Sequence, residues 1–253
     1  MDTNSQASLG ESQAALSESM AHPLLGKKQN DIQSLFNGIA PRYDLLNRLL
    51  SMNIDRWWRE KAIDELAPRE EGRYLDACAG TGDLAFALRK RFGGRRPRVY
   101  CSDFSVEMVR RGNRKGRGPR FLAGDTLQLP FADDTFDGAM VGFGIRNVEN
   151  LHGGLQELRR VIRPGGRLIL LEFTPMQNRL LRPVVDFYCR KIMPQIGNIL
   201  SGSRVRAYSY LNASMETWPD GERLAERMRE AGYKGVRWRP LFPGLVALHR
   251  GFR

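Results

Sequence analysis

The sequence predicts an α/β domain whose parallel sheet is covered by helices on both faces. From Arg73 onward, short apolar segments alternate with amphipathic ones, and five of the apolar segments are continuous enough to be buried strands. The chain has 253 residues, of which 42% are hydrophobic and 27% charged, so it can bury a sizeable core. No apolar run approaches the roughly 18–20 residues that a membrane-spanning helix needs, which excludes a transmembrane protein.

The first 26 residues predict a disordered tail. They are rich in Ser, Gln, Ala and Glu and contain no Lys or Arg. They match neither a secretory signal nor a mitochondrial presequence. The three cysteines are too few for a disulfide scaffold and match no zinc-binding spacing. We therefore expect a cytoplasmic protein, with residues 27–253 forming one domain.

Residues 27–70 predict a cap of two or three short amphipathic helices. The first apolar helix face has the spacing i, i+3, i+4, i+7 and consists of Ile32, Leu35, Phe36 and Ile39. Pro41 interrupts this helix. A second apolar pattern follows at Leu45, Leu46, Leu49 and Leu50, and then at Trp57 and Trp58. These helices either cap a core or close over a ligand.

Residues 71–176 predict the core of the domain. Five strands are expected, at 74–78, 98–102, 120–123, 137–143 and 167–173. The helices between them are expected at 84–92, 106–112 and 151–162.

Residues 177–253 predict a substrate-side helix and a C-terminal hairpin. The segment 178–200 is long, apolar and basic, and it is either a core or capping helix, a wall for an apolar substrate, or a membrane-surface element. A helix should then begin at Pro219 and end at Gly232, followed by paired strands at 235–241 and 245–250.

Glycines and polar residues end four consecutive strands, where a parallel sheet binds its ligands. A glycine turn after the first strand lets a ligand approach the backbone closely. Asp103 ends the second strand, 21 residues after Gly82, at about the spacing of an acid that accepts both hydroxyls of a ribose. The residues of this candidate site are Asp76, Gly80, Thr81, Gly82, Asp103, Asp125, Thr126 and Gly142.

These residues favour S-adenosylmethionine over a dinucleotide, because the full Gly-x-Gly-x-x-Gly pattern and a second nucleotide half are both absent. The alternative is that Asp76 and Asp103 merely cap helices and that the glycines form ordinary turns.

Several blocks along the chain together carry a resemblance to one protein family. They lie at 36–44, 80–83, 129–131, 136–137, 143–147, 163–166, 171–173, 208–211 and 247–251. The Phe-Gly-Ile-Arg-Asn block at 143–147 and the Tyr-Ser-Tyr-Leu block at 208–211 are the most specific. With these blocks the chain resembles the quinone-biosynthesis C-methyltransferase family, whose members methylate demethylmenaquinol or a methoxy-polyprenyl-benzoquinol, a ubiquinone precursor.

The resemblance implies a Rossmann-like class I methyltransferase fold, with a seven-stranded, mostly parallel sheet whose last strand is antiparallel. It also implies that S-adenosylmethionine contacts Thr81, Asp103, Asp125, Thr126 and the residue at Gly142. At the last position a serine is common in the family. Asp125 is often asparagine in relatives.

The implied chemistry is transfer of a sulfonium methyl group to a ring carbon, and it requires no metal. The ring carbon becomes nucleophilic when a phenolic hydroxyl, with a pKa near 10, loses its proton. Arg146 is the candidate for stabilising the oxyanion and Asn147 for orienting it. For Arg146 the alternative is a surface salt bridge. The candidates for substrate contact or proton relay are Tyr43, Tyr208, Tyr210 and His249.

The charge predicts an anionic partner. The net charge is +12, and because residues 1–26 carry −3, the remaining chain carries +15. Basic clusters at 89–98 and 110–120 favour attachment to anionic lipid on the inner face of a bacterial membrane, at about 1 kcal/mol per charge.

Two other classes stay open. The basic charge also suits an RNA or DNA methyltransferase, but no base-flipping Asn-Pro-Pro-Tyr motif or RNA-binding module is present, so we expect no nucleic-acid partner. The other class is a non-catalytic S-adenosylmethionine-binding scaffold. Within the quinone interpretation we favour demethylmenaquinol as substrate, with the ubiquinone precursor as the alternative. The general base and a homo-oligomeric state are left open.

Overall fold

The computed structural model describes residues 37, 40, 43–94, 96–176, 178, 180–192, 195 and 218–253. The predicted tail and two of the candidate substrate residues, Tyr208 and Tyr210, lie outside the described residues.

Seven strands form one sheet in the order β3-β2-β1-β4-β5-β7-β6. Their bounds are β1 Arg73–Ala77, β2 Arg98–Asp103, β3 Arg120–Ala123, β4 Phe136–Gly142, β5 Ile162–Phe173, β6 Lys234–Leu241 and β7 Val246–Phe252. The first five strands are parallel, and β7 runs antiparallel to both β5 and β6. The predicted seven-stranded sheet with an antiparallel last strand is therefore confirmed.

Seven α-helices accompany the sheet in the described part of the chain. Their bounds are α1 Tyr43–Leu50, α2 Ile54–Leu66, α3 Asp83–Arg91, α4 Val106–Lys115, α5 Leu151–Val161, α6 Arg182–Phe187 and α7 Gly221–Glu230. Helix α7 begins at Gly221, two residues after the predicted start at Pro219, because the Asp220 side chain accepts a hydrogen bond from the backbone N–H of Arg223 and caps the first turn. No helix among the described residues is long and apolar enough to cross a membrane.

The core consists of two apolar layers, one on each face of the sheet. Along β5, Leu168 and Leu170 pack into the layer beneath α5 and α7, whereas Ile169 and Leu171 pack into the layer beneath α2 and α3. This alternation follows from the two-residue period of a strand. The sheet is covered on both faces, as the continuous apolar strands predicted.

Strand β5 begins five residues earlier than predicted. A turn was expected at 164–166, but Ile162 already pairs with Phe136 of β4. The backbones of Gly165 and Gly166 bond to Arg253 at the end of the chain, which extends the strand. These pairings are long-range, so the local Pro-Gly-Gly signal does not reveal them.

The described part of the apolar, basic segment 178–200, which follows β5, does not form a core helix, one of the structures predicted for it. It contains α6 and a short π-helical turn, Tyr188–Ile192. Leu180, Val184 and Phe187 are exposed, and no residue of α6 is buried. The interpretation of a core helix is therefore wrong for the described part of this segment.

Candidate active site

A pocket lies at the carboxyl ends of the central strands. Part of its space is open to solvent. Six residues singled out from the sequence line it: Tyr43, Gly80, Asp103, Asp125, Thr126 and Asn147. Six others had not been predicted: Cys78, Phe104, Met108, Phe143, Gly144 and Val148.

The glycine turn after β1 is tightly built. Gly80 and Gly82 have φ of +56° and +81°, which favours glycine. A Cβ at Gly82 would lie 2.4 Å from the ring of Phe121, so the position has no room for a side chain. Cys78 also has a positive φ, and its Sγ lies 3.2 Å from Thr126 Oγ1. Burial raises the pKa of the Cys78 thiol to about 12, which keeps it protonated at neutral pH.

Asp103 is a buried carboxylate held by the backbone. Gly80 N–H donates to Oδ2 at 2.7 Å and Ser105 N–H donates to Oδ1 at 2.8 Å. Burial raises its pKa to about 6, and the two backbone hydrogen bonds oppose that rise. Each oxygen has a further lone pair, so the carboxylate can accept two more hydrogen bonds, as a ribose diol requires.

Asp76 does not line the pocket. Its Oδ2 accepts a hydrogen bond from Ala85 N–H in the first turn of α3, at 3.0 Å. Burial raises the pKa of this carboxyl to about 8. Asp76 thus stabilises the glycine turn indirectly, through its hydrogen bond to α3, the helix that follows this turn.

Thr81 connects the glycine turn to the helical cap. Its hydroxyl donates to Asp44 of α1 at 2.5 Å and accepts from the ammonium of Lys115 at 3.2 Å. Lys115 also pairs with Asp44, at 2.8 Å. Thr81 therefore fixes α1 beside the pocket, where Tyr43 from the same helix faces Gly80.

Tyr43 is a hydrogen-bond donor at neutral pH. Burial raises the pKa of its phenol, although a hydrogen bond to Asn47 lowers it.

The predicted proton relay through His249 is wrong, because this side chain is buried in β7 and its Nε2 lies 2.8 Å from the carbonyl oxygen of Gly221. Burial lowers the pKa of His249 to about 4.

Gly142 ends β4 and has space beside it. A Cβ there would lie 3.6 Å from the side chain of Leu84, an ordinary van der Waals contact. A serine, as implied by the family resemblance, would therefore fit at this position.

Arg146 is buried next to the pocket. Its side chain is 5% exposed, and Nη1 donates both to Glu172 Oε1 at 2.5 Å and to the carbonyl oxygen of Phe143 at 2.8 Å. The guanidinium lies 5.1 Å from the centre of the Phe173 ring. The alternative of a surface salt bridge is therefore wrong.

Glu172 was not singled out from the sequence, although it belongs to one of the blocks quoted above. It is fully buried, and burial raises its pKa against the opposing charge of Arg146. The sequence feature that could have pointed to Glu172 is its place as the single acid near the end of the largely apolar strand β5.

The pocket suits S-adenosylmethionine in three respects. The buried Asp103 carboxylate has acceptor capacity left for a ribose, and the glycine turn gives close access to the backbone. Phe104 and Met108 add apolar surface beside Asp125, where an adenine has both a face and a polar edge to satisfy.

Comparison with known proteins gives the same assignment. Residues 25–253 match the model of the ubiE/COQ5 methyltransferase family. A ubiquinone/menaquinone biosynthesis C-methyltransferase of Paracoccus denitrificans is 39% identical over 88% of this chain and 90% of its own length. Demethylmenaquinone methyltransferases of Mycolicibacterium paratuberculosis and Mycobacterium tuberculosis are 40% and 39% identical over 92% of this chain, and over 99% and 97% of their own lengths.

Solved structures share the fold. A SAM-dependent methyltransferase of Thermotoga maritima superimposes with a TM-score of 0.64 and 21% identity over 87% of this chain and 98% of its own. Geranyl diphosphate C-methyltransferase of Streptomyces coelicolor gives 0.57 and 17% over 77% of each chain. At these identities the likeness establishes the class I methyltransferase fold alone.

Proposed function

Because the chain belongs to the ubiE/COQ5 methyltransferase family, we propose that it transfers a methyl group from S-adenosylmethionine to a ring carbon of a prenylated quinol. The observation that carries the proposal is the buried Arg146, placed beside a pocket suited to S-adenosylmethionine. Demethylmenaquinol is the favoured substrate, since the mycobacterial relatives are demethylmenaquinone methyltransferases. The methoxy-benzoquinol precursor of ubiquinone is the alternative, in line with the name of the Paracoccus relative.

In this proposal the pocket residues bind and orient the methyl donor. The donor supplies a methyl group already activated on a sulfonium. Asp103 accepts both ribose hydroxyls, and Asp125 with Thr126 contacts the adenine edge. Gly80 and Gly82 give the backbone close access, while Tyr43 covers the pocket from α1. Holding both reactants in one geometry contributes through proximity and orientation.

Arg146 and Asn147 act on the quinol. The ring carbon reacts faster when the neighbouring oxygen carries negative charge, and a buried guanidinium stabilises that charge more strongly than one in water. Asn147 lines the pocket one residue further on and orients the ring oxygen.

The test is methyl transfer from labelled S-adenosylmethionine to reduced demethylmenaquinol, with the methoxy-benzoquinol in parallel. We expect label in the naphthoquinol product. Label in both products would indicate an enzyme that serves both pathways. Label in neither, with S-adenosylmethionine still bound, would exclude a quinol methyltransferase.

Two arginine substitutions test whether the buried Arg146 is needed for methyl transfer. Arg146→Met should reduce kcat about 100- to 1,000-fold, the size of effect seen when an oxyanion donor is removed. Arg237→Met, at an exposed position on β6, is the matched control and should keep wild-type kcat. Binding of S-adenosylmethionine to both variants shows whether the fold is retained.

We also propose that the protein works in the cytoplasm, peripherally on the inner face of a bacterial membrane, where a prenylated quinol lies. The exposed side chains of Leu45, Leu49 and Met52 form an apolar strip on and just after α1. A groove beside α1 is lined by basic side chains: Arg48, Arg111, Arg114 and Lys115. An apolar strip next to basic side chains suits the surface of an anionic bilayer.

The two basic clusters differ in this respect. Three arginines of the 89–98 cluster bond within the protein: Arg89 to backbone carbonyls, Arg91 to Asp64 and Arg96 to Glu71. In the 110–120 cluster Arg111 pairs with Glu107 and Lys115 with Asp44 and Asp83, whereas Arg114 is exposed in the groove beside α1. This favours the second cluster as the lipid contact.

A further inference from the structure

Three buried polar atoms in the residues that follow β4 or end β5 have no hydrogen-bond partner in the described structure. They are Arg146 Nε, Glu172 Oε2 and Thr174 Oγ1. The Arg146 and Glu172 side chains are 5% and 0% exposed, and Thr174 is 3% exposed. A buried polar group without a partner costs on the order of 1–3 kcal/mol, so three together need an explanation.

These atoms lie at one place in the fold. Glu172 is at the end of β5, next to the end of β4, and it bonds directly to Arg146. Thr174 directly follows β5, and its backbone N–H still bonds to the carbonyl oxygen of Leu245 before β7, so the extended pairing continues and we expect its side chain on the same side as that of Glu172. Arg146 belongs to the same segment as Gly144 and Asn147, which line the pocket.

The surroundings are aromatic. The ring of Phe143, which lines the pocket, lies 4.9 Å from the ring of Phe173. The Arg146 guanidinium stacks over Phe173. The Phe143–Phe173 pair belongs to the layer beneath α2 and α3, whereas Glu172 lies on the other face of β5, and Arg146 contacts both sides. An aromatic pair joined through a guanidinium to a buried carboxylate suits an aromatic ring that carries a hydroxyl.

The unpaired atoms complement such a hydroxyl. Arg146 Nε and Thr174 Oγ1 are donors, and Glu172 Oε2 is an acceptor. We propose that they form the subsite for a quinol hydroxyl, in which Glu172 accepts the hydroxyl proton while Arg146 and Thr174 hold the oxygen. This assignment rests on the quinol methyltransferase function proposed above.

The proton and electron balance closes within the subsite. The quinol O–H bond breaks and its proton passes to the Glu172 carboxylate. The neighbouring ring carbon forms a bond to the methyl group as the sulfur–methyl bond breaks and the electron pair stays on sulfur. The methylated carbon then loses its proton to water, and Glu172 returns its proton to the oxygen. One proton is released to solvent per methyl transferred.

Burial makes Glu172 suitable for this step. Burial raises its pKa, which narrows the gap to the phenolic hydroxyl and strengthens it as a base, while the charge of Arg146 opposes the rise. A carboxylate in water would be a weaker proton acceptor for a phenol.

The experiment compares wild type, Glu172→Gln and Thr174→Val with reduced demethylmenaquinol in detergent, anaerobically, from pH 6 to 9. Glu226→Gln, at an exposed position on α7, is the matched control. Affinity for S-adenosylmethionine is measured in parallel by calorimetry, so a folding defect is separated from a catalytic one.

We expect Glu172→Gln to bind S-adenosylmethionine like wild type and to lose at least about 100-fold in kcat, within the usual range for a general base. The wild-type kcat should rise with pH and level off, whereas the Glu172→Gln rate should keep rising because hydroxide replaces the base. Thr174→Val should raise KM for the quinol several-fold, and Glu226→Gln should match wild type.

A Glu172→Gln variant with kcat within about 3-fold of wild type and the same pH profile would overturn the assignment. If this variant fails to bind S-adenosylmethionine, the wild-type profile decides, because a rate that rises without levelling to pH 9 excludes an internal base. An unchanged KM in Thr174→Val would remove that residue from the subsite. A wild-type enzyme inactive on both quinols would instead refute the proposed function itself.

Discussion

At the scale of single residues, the proposed role of Asp103 should make cofactor binding depend on pH. Its pKa is raised to about 6 by burial. Hydrogen bonds from ribose hydroxyls favour the carboxylate over the acid, so binding should lower this pKa. We expect affinity for S-adenosylmethionine to increase as pH rises through 6 and to be constant above about 7, measured by calorimetry.

Asp103→Asn should bind about 10- to 100-fold more weakly above pH 7, since hydrogen bonds to a charged group contribute about 1.5–3 kcal/mol. It should also lose the pH dependence near 6. Asp133→Asn, an exposed carboxylate before β4, is the control and should behave like wild type. A pH dependence that persists in Asp103→Asn would assign it to another group.

His249 should make stability depend on pH. Its folded pKa is about 4, below the ordinary value of 6.5, so the unfolded chain binds the proton first. The contribution of His249 to the free energy of unfolding is complete above pH 6.5 and is lost as the pH falls towards 4. The loss is up to about 3 kcal/mol, because a difference of one unit in pKa corresponds to about 1.36 kcal/mol.

Urea unfolding of wild type and His249→Gln at pH 7 and pH 4 measures this effect. The stability advantage of wild type should shrink by that amount at the lower pH, and comparing the two proteins cancels the buried acids, which act in the opposite sense. His152→Gln, on the exposed side of α5, should show no such change. An equal advantage at both pH values would contradict the assignment to His249.

At the scale of elements, α1 is held to the glycine turn by one polar cluster. Asp44 accepts from Thr81 and pairs with Lys115. Asp44→Ala removes both contacts, so α1 and Tyr43 should open more readily over the pocket. We expect S-adenosylmethionine to dissociate about 10-fold faster, the effect of one to two hydrogen bonds, in a stopped-flow measurement.

The control for that prediction is Glu60→Ala, an exposed acid on α2. It should leave the dissociation rate unchanged. Equal dissociation rates in Asp44→Ala and wild type would show that α1 does not retain the cofactor.

The elements that the sequence predicted well are those with a local cause. Strand and helix alternation from Arg73 follows from apolar periodicity, and the helix after Pro219 follows from its cap. Asp103 was found because chain spacing alone places it at a strand end. These features need no knowledge of distant residues.

The features that the sequence did not predict depend on long-range packing. Glu172 was not singled out because its bond to Arg146 joins residues that are 26 positions apart in the chain. The hydroxyl of Thr81 bonds to Asp44 and Lys115, 37 and 34 residues away, and these contacts were not predicted from the sequence. His249 was misjudged because a polar residue type suggested chemistry where the fold buries it against a backbone carbonyl.

At the scale of the whole molecule, arginine side chains lie near both edges of the sheet. The groove beside α1 includes Arg111 and Arg114 of α4, which packs near the β3 edge, while β6 forms the other edge. The exposed Arg237 and Arg239 of β6 therefore offer the same charge at the opposite end of the sheet.

This arrangement gives a matched test of membrane attachment by vesicle co-sedimentation. Arg111→Glu with Arg114→Glu should weaken binding to anionic vesicles at least about 10-fold, since each charge near the surface contributes about 1 kcal/mol. The double variant Arg237→Glu with Arg239→Glu changes the net charge by the same amount, but its binding to anionic vesicles should weaken much less. Binding should also weaken at high salt, because screening shortens the reach of surface charges.

Equal losses of vesicle binding in the two double variants would mean that net charge, and not the face beside α1, governs attachment. No binding of wild type to anionic vesicles would refute the membrane proposal, while leaving methyl transfer in detergent as an independent result.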